Sequence, residues 1–359
     1  MRREEPSWWY GPGGDARIGL LQPIARIWVT VADRRMAGPP RHRSPLPVIC
    51  IGNFTAGGTG KTPLSLTIAE RLLAKGLAPA FLTRGYGAER STPGWVDTAA
   101  DTAREAGDEP LLLARVAPVL ISPDRAAGAR SIEARRPAVD VIVMDDGLQN
   151  PALAKDLRIA LVDGRRGVGN GRVMPAGPLR ASLDLQLKLV DAIVINEPPG
   201  SAGAASDKQV GPTSWLRQRF SGPVLSARVA PAGDVAWLRA KPLIAFAGIA
   251  NPQRFYALLA SLGAEVTETK SFGDHHPFSE AEARALLMRA EALGADLVTT
   301  EKDHVRLSGA GAIVELAARS RVLPIRLAFD DTDDARLDVL LDPIVAKCRK
   351  VINAAGGAP

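Results

Sequence analysis

The chain has 359 residues, which suggests about two domains, because single cores seldom grow beyond roughly 250–300 residues. Hydrophobic residues make up 46% and charged residues 23%, values that exclude a wholly disordered protein. Its two cysteines, Cys50 and Cys348, exclude a disulfide framework, and no Cys/His cluster indicates a structural zinc site. This cysteine usage favours a reducing, cytoplasmic setting.

The formal charge of +6 is concentrated at the N-terminus, where residues 1–45 hold eight arginines and four acidic residues. No apolar run reaches the roughly 18 residues of a membrane span, and no small-residue cleavage site follows a clean apolar block. The apolar residues follow a helical period and share one face: Leu20, Leu21, Ile24, Ile27, Trp28 and Val31. Such a basic, tryptophan-bearing helix either lies in a membrane interface or packs on the protein's own core, and both alternatives stay open.

Short apolar runs alternate with helical periods from residue 46 onward. The predicted strands span 47–52, 78–83, 118–121, 139–144, 158–162 and 192–195. The predicted helices span 62–75, 109–117 and 125–135. This alternation predicts an α/β fold with a mostly parallel sheet that carries helices on both faces.

A stretch that opens with Pro, Gly, Ser and Ala, residues 198–222, is a candidate linker to a second, smaller α/β pattern. There the predicted strands span 224–229, 243–248, 265–269, 296–300 and 322–328, and the predicted helices span 252–262 and 279–293. A last helix at about 334–352 ends the pattern.

The segment IGNFTAGGTGKT (51–62) follows a predicted strand and opens a predicted helix, which is the context of a P-loop. Glycines there let backbone N–H groups surround phosphate oxygens, and the helix N-terminus adds its positive end. Lys61 would reach the transferring phosphate, and the Thr62 hydroxyl would bind Mg²⁺. Thr55 stands where the strict pattern has its first glycine, so the path of the loop is expected to differ slightly.

The strand predicted at 139–144 ends in Asp145 and Asp146, as in a Walker-B arrangement that places carboxylates beside a P-loop. The two carboxylates can bind Mg²⁺ directly or through water. ATP is preferred over GTP, because the residues that follow the 192–195 strand, Asn196 and Glu197, do not match a guanine-binding NKxD motif.

A kinase often needs a base for the proton of its acceptor hydroxyl. Candidates are Asp108 in GDEP and the adjacent His275 and His276 in FGDHH. Asp108 could also be a helix N-cap, and His275 a hydrogen-bonded structural histidine. The later TEKD segment, with Glu301 and Asp303, is interpreted as a helix start after a strand.

Seven motifs occur in the order found in the tetraacyldisaccharide 4′-kinase family: IGNFTAGGTGKTP, LTRGYG, GDEP, DDGLQ, GNGRVMPAGPLR, FGDHH and TEKD. The resemblance covers roughly residues 17–345. It implies a transferase of lipid A and lipopolysaccharide biosynthesis that uses ATP and Mg²⁺ to phosphorylate the 4′-hydroxyl of a tetraacylated glucosamine disaccharide 1-phosphate, giving lipid IVA.

The resemblance also implies roles for single residues. Asp108 is similar to the catalytic base, His275 to the histidine that assists it, and Lys61 to the phosphate lysine. Metal ligands would be Thr62, Asp145 and Asp146. Phosphates would be bound by Asn53, Thr55, Ala56, Gly57, Gly58, Thr59, Gly60, Lys61 and Thr62. Candidate substrate contacts are Arg84, Gln149 and Arg180. Ala181 departs from the family, which often has an acidic residue after the arginine of PLR.

Family membership would make the first helix an interfacial anchor on the cytoplasmic face of the bacterial inner membrane. The expected partners are then an acylated lipid substrate and an anionic membrane surface, with no nucleic acid and no evident protein partner. The expected domains are an interfacial segment 1–45, a P-loop core 46–222, a smaller α/β domain 223–330, and a terminal helix 331–359 that returns to the core. Two alternatives remain: a nucleotide switch that binds a protein partner, and a soluble small-molecule kinase.

Overall fold

The computed structural model describes residues 5–11, 14–90, 92–135, 138–198 and 212–356, and these form two sheets. The strands of the larger sheet are β1 (Val48–Asn53), β2 (Pro79–Thr83), β3 (Gly94–Trp95), β4 (Val119–Ile121), β5 (Val141–Asp145), β6 (Leu157–Asp163), β7 (Ala192–Glu197), β8 (Val224–Pro231) and β13 (Ile325–Phe329). Their order is β13-β8-β7-β6-β1-β5-β2-β4-β3. The inner strands pair in parallel, and the edge strands β3 and β13 pair antiparallel to their neighbours.

Helices cover both faces of this sheet. They are α1 (Ala16–Met36), α2 (Lys61–Ala74), α3 (Ala103–Ala106), α4 (Asp108–Leu113), α5 (Arg125–Glu133), α6 (Leu183–Leu189), α7 (Ser214–Arg219) and α12 (Asp331–Gly356). Ile49 of β1 packs in one buried cluster with Leu72 of α2 and Leu341 of α12. The next residue, Cys50, packs in another cluster with Ile132 of α5. Successive strand residues thus face opposite helical layers, which confirms the predicted fold class.

The smaller sheet is parallel and has the order β10-β9-β11-β12. Its strands are β9 (Leu243–Ala247), β10 (Val266–Ser271), β11 (Asp296–Thr300) and β12 (Ser320–Leu323). Its helices are α8 (Pro252–Ser261), α9 (Glu280–Leu293), α10 (Glu301–His304) and α11 (Ala312–Arg319). Phe246 of β9 is buried with residues of α9 and α11, whereas Ala245 is buried with residues of α8, so helices cover both faces here too.

Two strands do not belong where the sequence pattern placed them. The run predicted at 224–229 forms β8, which pairs with β7 and extends the larger sheet. The run predicted at 322–328 is two strands, because Pro324 has no backbone N–H to donate and separates β12 of the small sheet from β13 of the large one. Of the candidate linker 198–222, residues 199–211 lie outside the described residues, and the rest includes the helix α7.

Helix α1 leaves most of its apolar face uncovered. Ile18, Ala25 and Met36 are buried against the protein, whereas an adjacent face of the helix is exposed. The exposed fractions of its apolar side chains are 78% for Leu20, 55% for Ile24, 69% for Ile27, 48% for Trp28 and 59% for Val31. Within the described residues, no helix is both long enough and apolar enough to cross a membrane.

Candidate active site

The loop between β1 and α2 has the backbone that phosphate binding requires. Gly57 and Gly60 adopt positive φ angles of 93° and 96°, which residues with a Cβ atom rarely adopt. Thr55 is not among the residues with positive φ, so a threonine is tolerated where the strict motif has glycine. Gly60 caps α2, and Lys61 begins it. The Lys61 ammonium lies 3.4 Å from Asn53 Oδ1 and 3.9 Å from Asp146 Oδ2.

Neighbouring segments hold this loop from several sides. The amide of Ala56 donates to the Pro178 carbonyl at 2.8 Å, and Arg180 Nε donates to the Thr55 carbonyl at 3.0 Å. On another side, Asn196 Nδ2 donates to the Thr59 carbonyl at 3.1 Å. These bonds fix the backbone of the loop, the arrangement that preorganised binding of a phosphate group would need.

Gln149 belongs to the support of the loop. Its amide nitrogen donates to the Asn53 carbonyl at 2.8 Å and to Gln186 Oε1 at 2.9 Å. Gln186 is fully buried and donates in turn to the Ala181 carbonyl at 2.9 Å. Ala181 is 1% exposed within an apolar cluster, a place that suits a methyl group and would leave a carboxylate desolvated.

The two carboxylates after β5 have different surroundings. Asp145 lies opposite Ile51 of β1 and accepts a hydrogen bond from Ser65 Oγ at 2.7 Å. Burial, together with the neighbouring charge of Glu109, raises the pKa of Asp145 to about 7. Asp146 has a positive φ of 51°, and its Oδ1 lies 3.5 Å from Arg180 Nη1.

Asp146 is the carboxylate best placed to meet a cation. Burial raises its pKa, but the charges of Lys61, Arg180 and Arg125 outweigh that and lower the pKa below its usual value. Its Oδ1 is buried and accepts no hydrogen bond from any described residue, although Arg180 Nη1 lies 3.5 Å away. The described residues contain no group of three His, Cys, Asp or Glu residues that could hold a metal by themselves. Two adjacent carboxylates beside the loop are a donor set of the kind Mg²⁺ uses, since this ion usually takes one or two carboxylates together with phosphate oxygens.

Asp108 and His275, 167 positions apart in the chain, are in contact. Asp108 begins α4 after Gly107, whose φ is 87°, and His275 lies in the loop between β10 and α9 with a positive φ of 59°. His275 Nδ1 lies 2.6 Å from Asp108 Oδ2. Burial raises the pKa of Asp108, but hydrogen bonds from His275 and Arg306 outweigh it, so the carboxyl pKa lies well below its usual range.

The second histidine has a different environment. His276 Nε2 lies 2.9 Å from Glu282 Oε1, and its ring stacks on Phe272 with a centroid distance of 4.9 Å. Glu282 also completes a capping box with Ser279 at the start of α9. His276 is therefore part of the packing of the small sheet's helical layer, and only His275 contacts Asp108.

The sequence reasoning did not identify Arg306, whose guanidinium contacts Asp108 Oδ2 through Nε at 2.7 Å and Nη2 at 2.6 Å. It took TEKD to be a helix start, and Thr300 does cap α10. The same segment also places Lys302 Nζ 3.5 Å from His275 Nε2 and joins Asp303 to Arg306 at 2.8 Å. The i, i+3 spacing of Asp303 and Arg306 was the one signal available in the sequence.

Arg84 lies exposed directly after β2, beyond the ladder that joins β2 to β5. The next residue, Gly85, has a φ of 71°, and a Cβ atom there would lie 2.5 Å from Ile121. Of the two candidate arginines, Arg180 contacts the phosphate loop and Asp146, whereas Arg84 faces solvent.

The residues before α1 also contact the phosphate loop. The Glu5 carboxylate packs against Gly57 and accepts hydrogen bonds from Tyr10 at 2.8 Å and Arg166 at 2.9 Å. Trp9 is buried and donates to the Pro175 carbonyl at 3.2 Å. Trp9 is thus unavailable to a membrane, in contrast to the exposed Trp28.

Comparison with known proteins places these features in a family. A family model described as "Tetraacyldisaccharide-1-P 4'-kinase" matches residues 18–344. A tetraacyldisaccharide 4′-kinase of Rhodospirillum centenum is 44% identical over 345 residues, covering 95% of this chain and 96% of the relative. One of Methylobacterium radiotolerans is 47% identical over 336 residues, covering 93% and 97%.

A solved structure shows the same fold. The crystal structure of LpxK from Aquifex aeolicus, described as an "apo" form in complex with ATP, matches with a TM-score of 0.70 and 25% sequence identity. The match covers 92% of this chain and 99% of that one. The likeness therefore includes both sheets and the helices between them.

Proposed function

The chain belongs to the tetraacyldisaccharide-1-P 4′-kinase family, and from this premise we propose how its residues carry out the reaction. It is a kinase of lipid A biosynthesis that transfers the γ-phosphoryl group of ATP to the 4′-hydroxyl of a tetraacylated glucosamine disaccharide 1-phosphate. The product is lipid IVA. The assignment of residues to steps is our proposal.

The phosphate loop binds and orients the donor. Backbone N–H groups of the loop and the Lys61 ammonium face the phosphates, where negative charge develops during transfer. Arg180 extends this positive surface, because it touches both the loop at Thr55 and the carboxylate of Asp146. Residues Asn53 and Thr55–Thr62 thus form the nucleotide site.

The Asp108–His275 pair receives the proton of the acceptor hydroxyl. The 4′-oxygen forms a bond to the γ-phosphorus, the bond from that phosphorus to the β–γ bridging oxygen breaks, and ADP leaves with its electrons. The hydroxyl proton passes to the pair, whose two members share it through the 2.6 Å contact. Asp108 lies on α4, a helix of the larger sheet, and His275 lies in the loop between β10 and α9, in the smaller unit built around the four-stranded sheet. The contact between these two residues is the observation that carries the proposal.

Thr62, Asp145 and Asp146 would hold Mg²⁺ next to the donor phosphates. Two observations support this assignment: the buried Oδ1 of Asp146 accepts no hydrogen bond among the described residues, although Arg180 Nη1 lies 3.5 Å away, and both carboxylates lie at the end of β5. When bound, the ion would neutralise charge on the phosphate oxygens. The two carboxylates are held differently: Asp145 accepts a hydrogen bond from Ser65, whereas Asp146 lies in a turn with a positive φ. They can therefore have different roles toward the ion.

The location of the enzyme is inferred from α1. Its exposed apolar face, flanked by arginines, suits the interface of an anionic bilayer, where the acylated substrate resides. We place the enzyme on the cytoplasmic face of the inner membrane as a peripheral protein. The sheet order further suggests that the smaller unit begins after β8 and ends at β12, with β13 and α12 returning to the core.

A direct assay tests the function. Purified enzyme is incubated with γ-labelled ATP and the lipid disaccharide 1-phosphate, and the lipids are separated by thin-layer chromatography. Label should appear in a product with one more phosphate group than the substrate, and Asp108→Asn should abolish it while ATP binding persists. Label transfer by a folded Asp108→Asn enzyme at the wild-type rate would refute the role of the pair.

A further inference from the structure

Arg306 is a buried cation at the junction of the two sheets. Its side chain is 4% exposed and follows α10, in the smaller unit, whereas its main partner Asp108 begins α4 in the core. Besides the two contacts with Asp108, Nη1 donates to the Gly248 carbonyl at 2.7 Å and to Asp303 Oδ1 at 2.8 Å. One guanidinium thus joins a core carboxylate to two groups of the smaller unit.

The same network reaches the backbone of His275. The Gly248 carbonyl, which accepts from Arg306, also accepts from the His275 amide at 3.0 Å. The Gly248 amide donates to Asp303 Oδ1 at 3.0 Å, and Asp303 itself accepts from Thr300 Oγ1 at 2.7 Å. These hydrogen bonds stabilise the positive φ of His275, a conformation that costs a histidine more than it costs a glycine. Arg306 therefore braces both members of the catalytic pair.

The charged side chains near Asp108 and His275 can each be named among the described residues. Arg306 Nη2 lies 3.4 Å from His275 Nδ1, and Lys302 Nζ lies 3.5 Å from its Nε2. Glu109 offsets Lys302 at 3.3 Å, and Asp274 Oδ2 lies 3.7 Å from His275 Nε2. Asp303 offsets Arg306 from the far side. Only Arg306 among these groups contacts both Asp108 and His275, so its charge acts on the pair as a unit.

The planar fork of arginine suits this position better than an ammonium. Two nitrogens of the guanidinium meet the same carboxylate oxygen while a third reaches away to Gly248 and Asp303. A lysine would keep the positive charge but could not keep all of these directions at once. Charge and geometry can therefore be separated by substitution.

We propose that Arg306, anchored by Asp303, is the positioning residue of the Asp108–His275 pair: it holds the two side chains together across the two units and keeps the pair ready to accept a proton. This inference rests on the proposed role of the pair in the reaction. It gives the TEKD segment a function beyond starting a helix.

The test compares Arg306→Met and Arg306→Lys with wild type, using the pH dependence of kcat/KM. Without the positive charge of Arg306, the Asp108–His275 pair binds its proton more tightly. In Arg306→Met, the acidic limb of the pH profile of kcat/KM should therefore move to higher pH by about one unit. We expect kcat to fall at least tenfold and the KM for ATP to change little. Arg306→Lys should restore the limb to its wild-type position while kcat stays reduced, because the fork is lost.

A matched control is Arg254→Met. Arg254 also joins the smaller unit to the core, through a 2.8 Å ion pair with Asp163, but it does not touch the catalytic pair. Loss of that ion pair should lower the melting temperature without moving the acidic limb. An unmoved limb in folded Arg306→Met, or an equal shift in Arg254→Met, would overturn the inference.

The Asp108→Asn variant separates the inference from its premise. An inactive Asp108→Asn enzyme together with an unmoved limb in Arg306→Met would leave the proposed function standing and reject only the role of Arg306. An active Asp108→Asn enzyme would reject the catalytic pair itself. If Arg306→Met does not fold, Arg306→Lys decides, because a wild-type kcat in that variant would show that the fork has no part in positioning.

Discussion

The uncovered face of α1 should hold the enzyme on anionic membranes, and the double substitution Ile24→Glu, Trp28→Glu should release it. Their exposed fractions, 55% and 48%, leave roughly 200 Å² of apolar surface on these two side chains. At about 25 cal/mol per Å², its transfer into the acyl boundary is worth about 5 kcal/mol. If only half of this free energy is lost, about 2.5 kcal/mol, the partitioning of the protein onto the membrane weakens roughly sixtyfold.

The measurement is co-sedimentation with vesicles that contain anionic lipid, at two salt concentrations, with a melting curve for each protein. Binding of the wild type should weaken as salt rises, because Arg17, Arg26, Arg34 and Arg35 add screened attraction to the headgroups. Activity of the double variant should fall far more on vesicle-borne substrate than on detergent-dispersed substrate.

A control with the same change in charge is Met288→Glu, Val339→Glu. These residues are 71% and 68% exposed, but they lie on α9 and α12, away from α1. This pair should bind vesicles nearly as well as the wild type. Retained binding by a folded Ile24→Glu, Trp28→Glu protein, or equal losses in both pairs, would refute the role of the helix face.

Three further predictions concern the phosphate site and the strand that leads into it. Lys61→Ala should lose about 3 kcal/mol or more of transition-state stabilisation, at least a hundredfold in kcat, and near-normal turnover by the folded variant would contradict its assignment. Chelation of Mg²⁺ should abolish phosphoryl transfer until the ion is added back. Asp146→Asn should raise the Mg²⁺ concentration needed for half-maximal activity, and an unchanged concentration would count against Asp146 as a ligand. Gly52→Ala should destabilise the protein by about 1–3 kcal/mol in denaturant unfolding, because the new Cβ lies 2.6 Å from Leu148, whereas Gly19→Ala has open space; equal stabilities would exclude this clash.

The phosphate loop could be predicted from sequence because its determinants are local. A strand, a run of glycines and Lys61 follow one another within a few residues, and each is visible in the chain. The departure at Thr55 proved tolerable because positive φ falls on Gly57 and Gly60 instead. The acidic turn at Asp146 was visible for the same reason.

Sheet membership could not be read in the same way. The apolar runs that became β8 and β9 look alike, but they enter different sheets, and only their hydrogen-bond partners decide which. Pro324 was a usable sign that the last run is two strands, since proline cannot donate to a ladder. The pattern of apolar residues alone reports burial, and both halves of that run are buried in part.

The catalytic pair was proposed from a family resemblance, and its support could not be predicted. Arg306 is one of many arginines in a basic chain, and nothing in its own neighbourhood distinguishes it except the i, i+3 spacing to Asp303. Its partners Asp108 and Gly248 come from distant segments that meet only after both sheets form. Such contacts are a property of the tertiary fold.

One segment, residues 172–182, connects helix α1 to the phosphate loop. Toward α1, Arg172 donates to Gln22 at 2.6 Å and the Ser182 amide donates to Asp33 at 2.9 Å. Toward the loop, the Arg180 amide donates to the Phe54 carbonyl at 2.9 Å. Because the same short segment contacts both, a membrane that bound α1 as we propose would also set the orientation of the loop. The fold would then fix the distance of the donor phosphate from the membrane surface. An acylated substrate held in the bilayer would meet the phosphate at that distance, which lowers the entropy cost of bringing the two together.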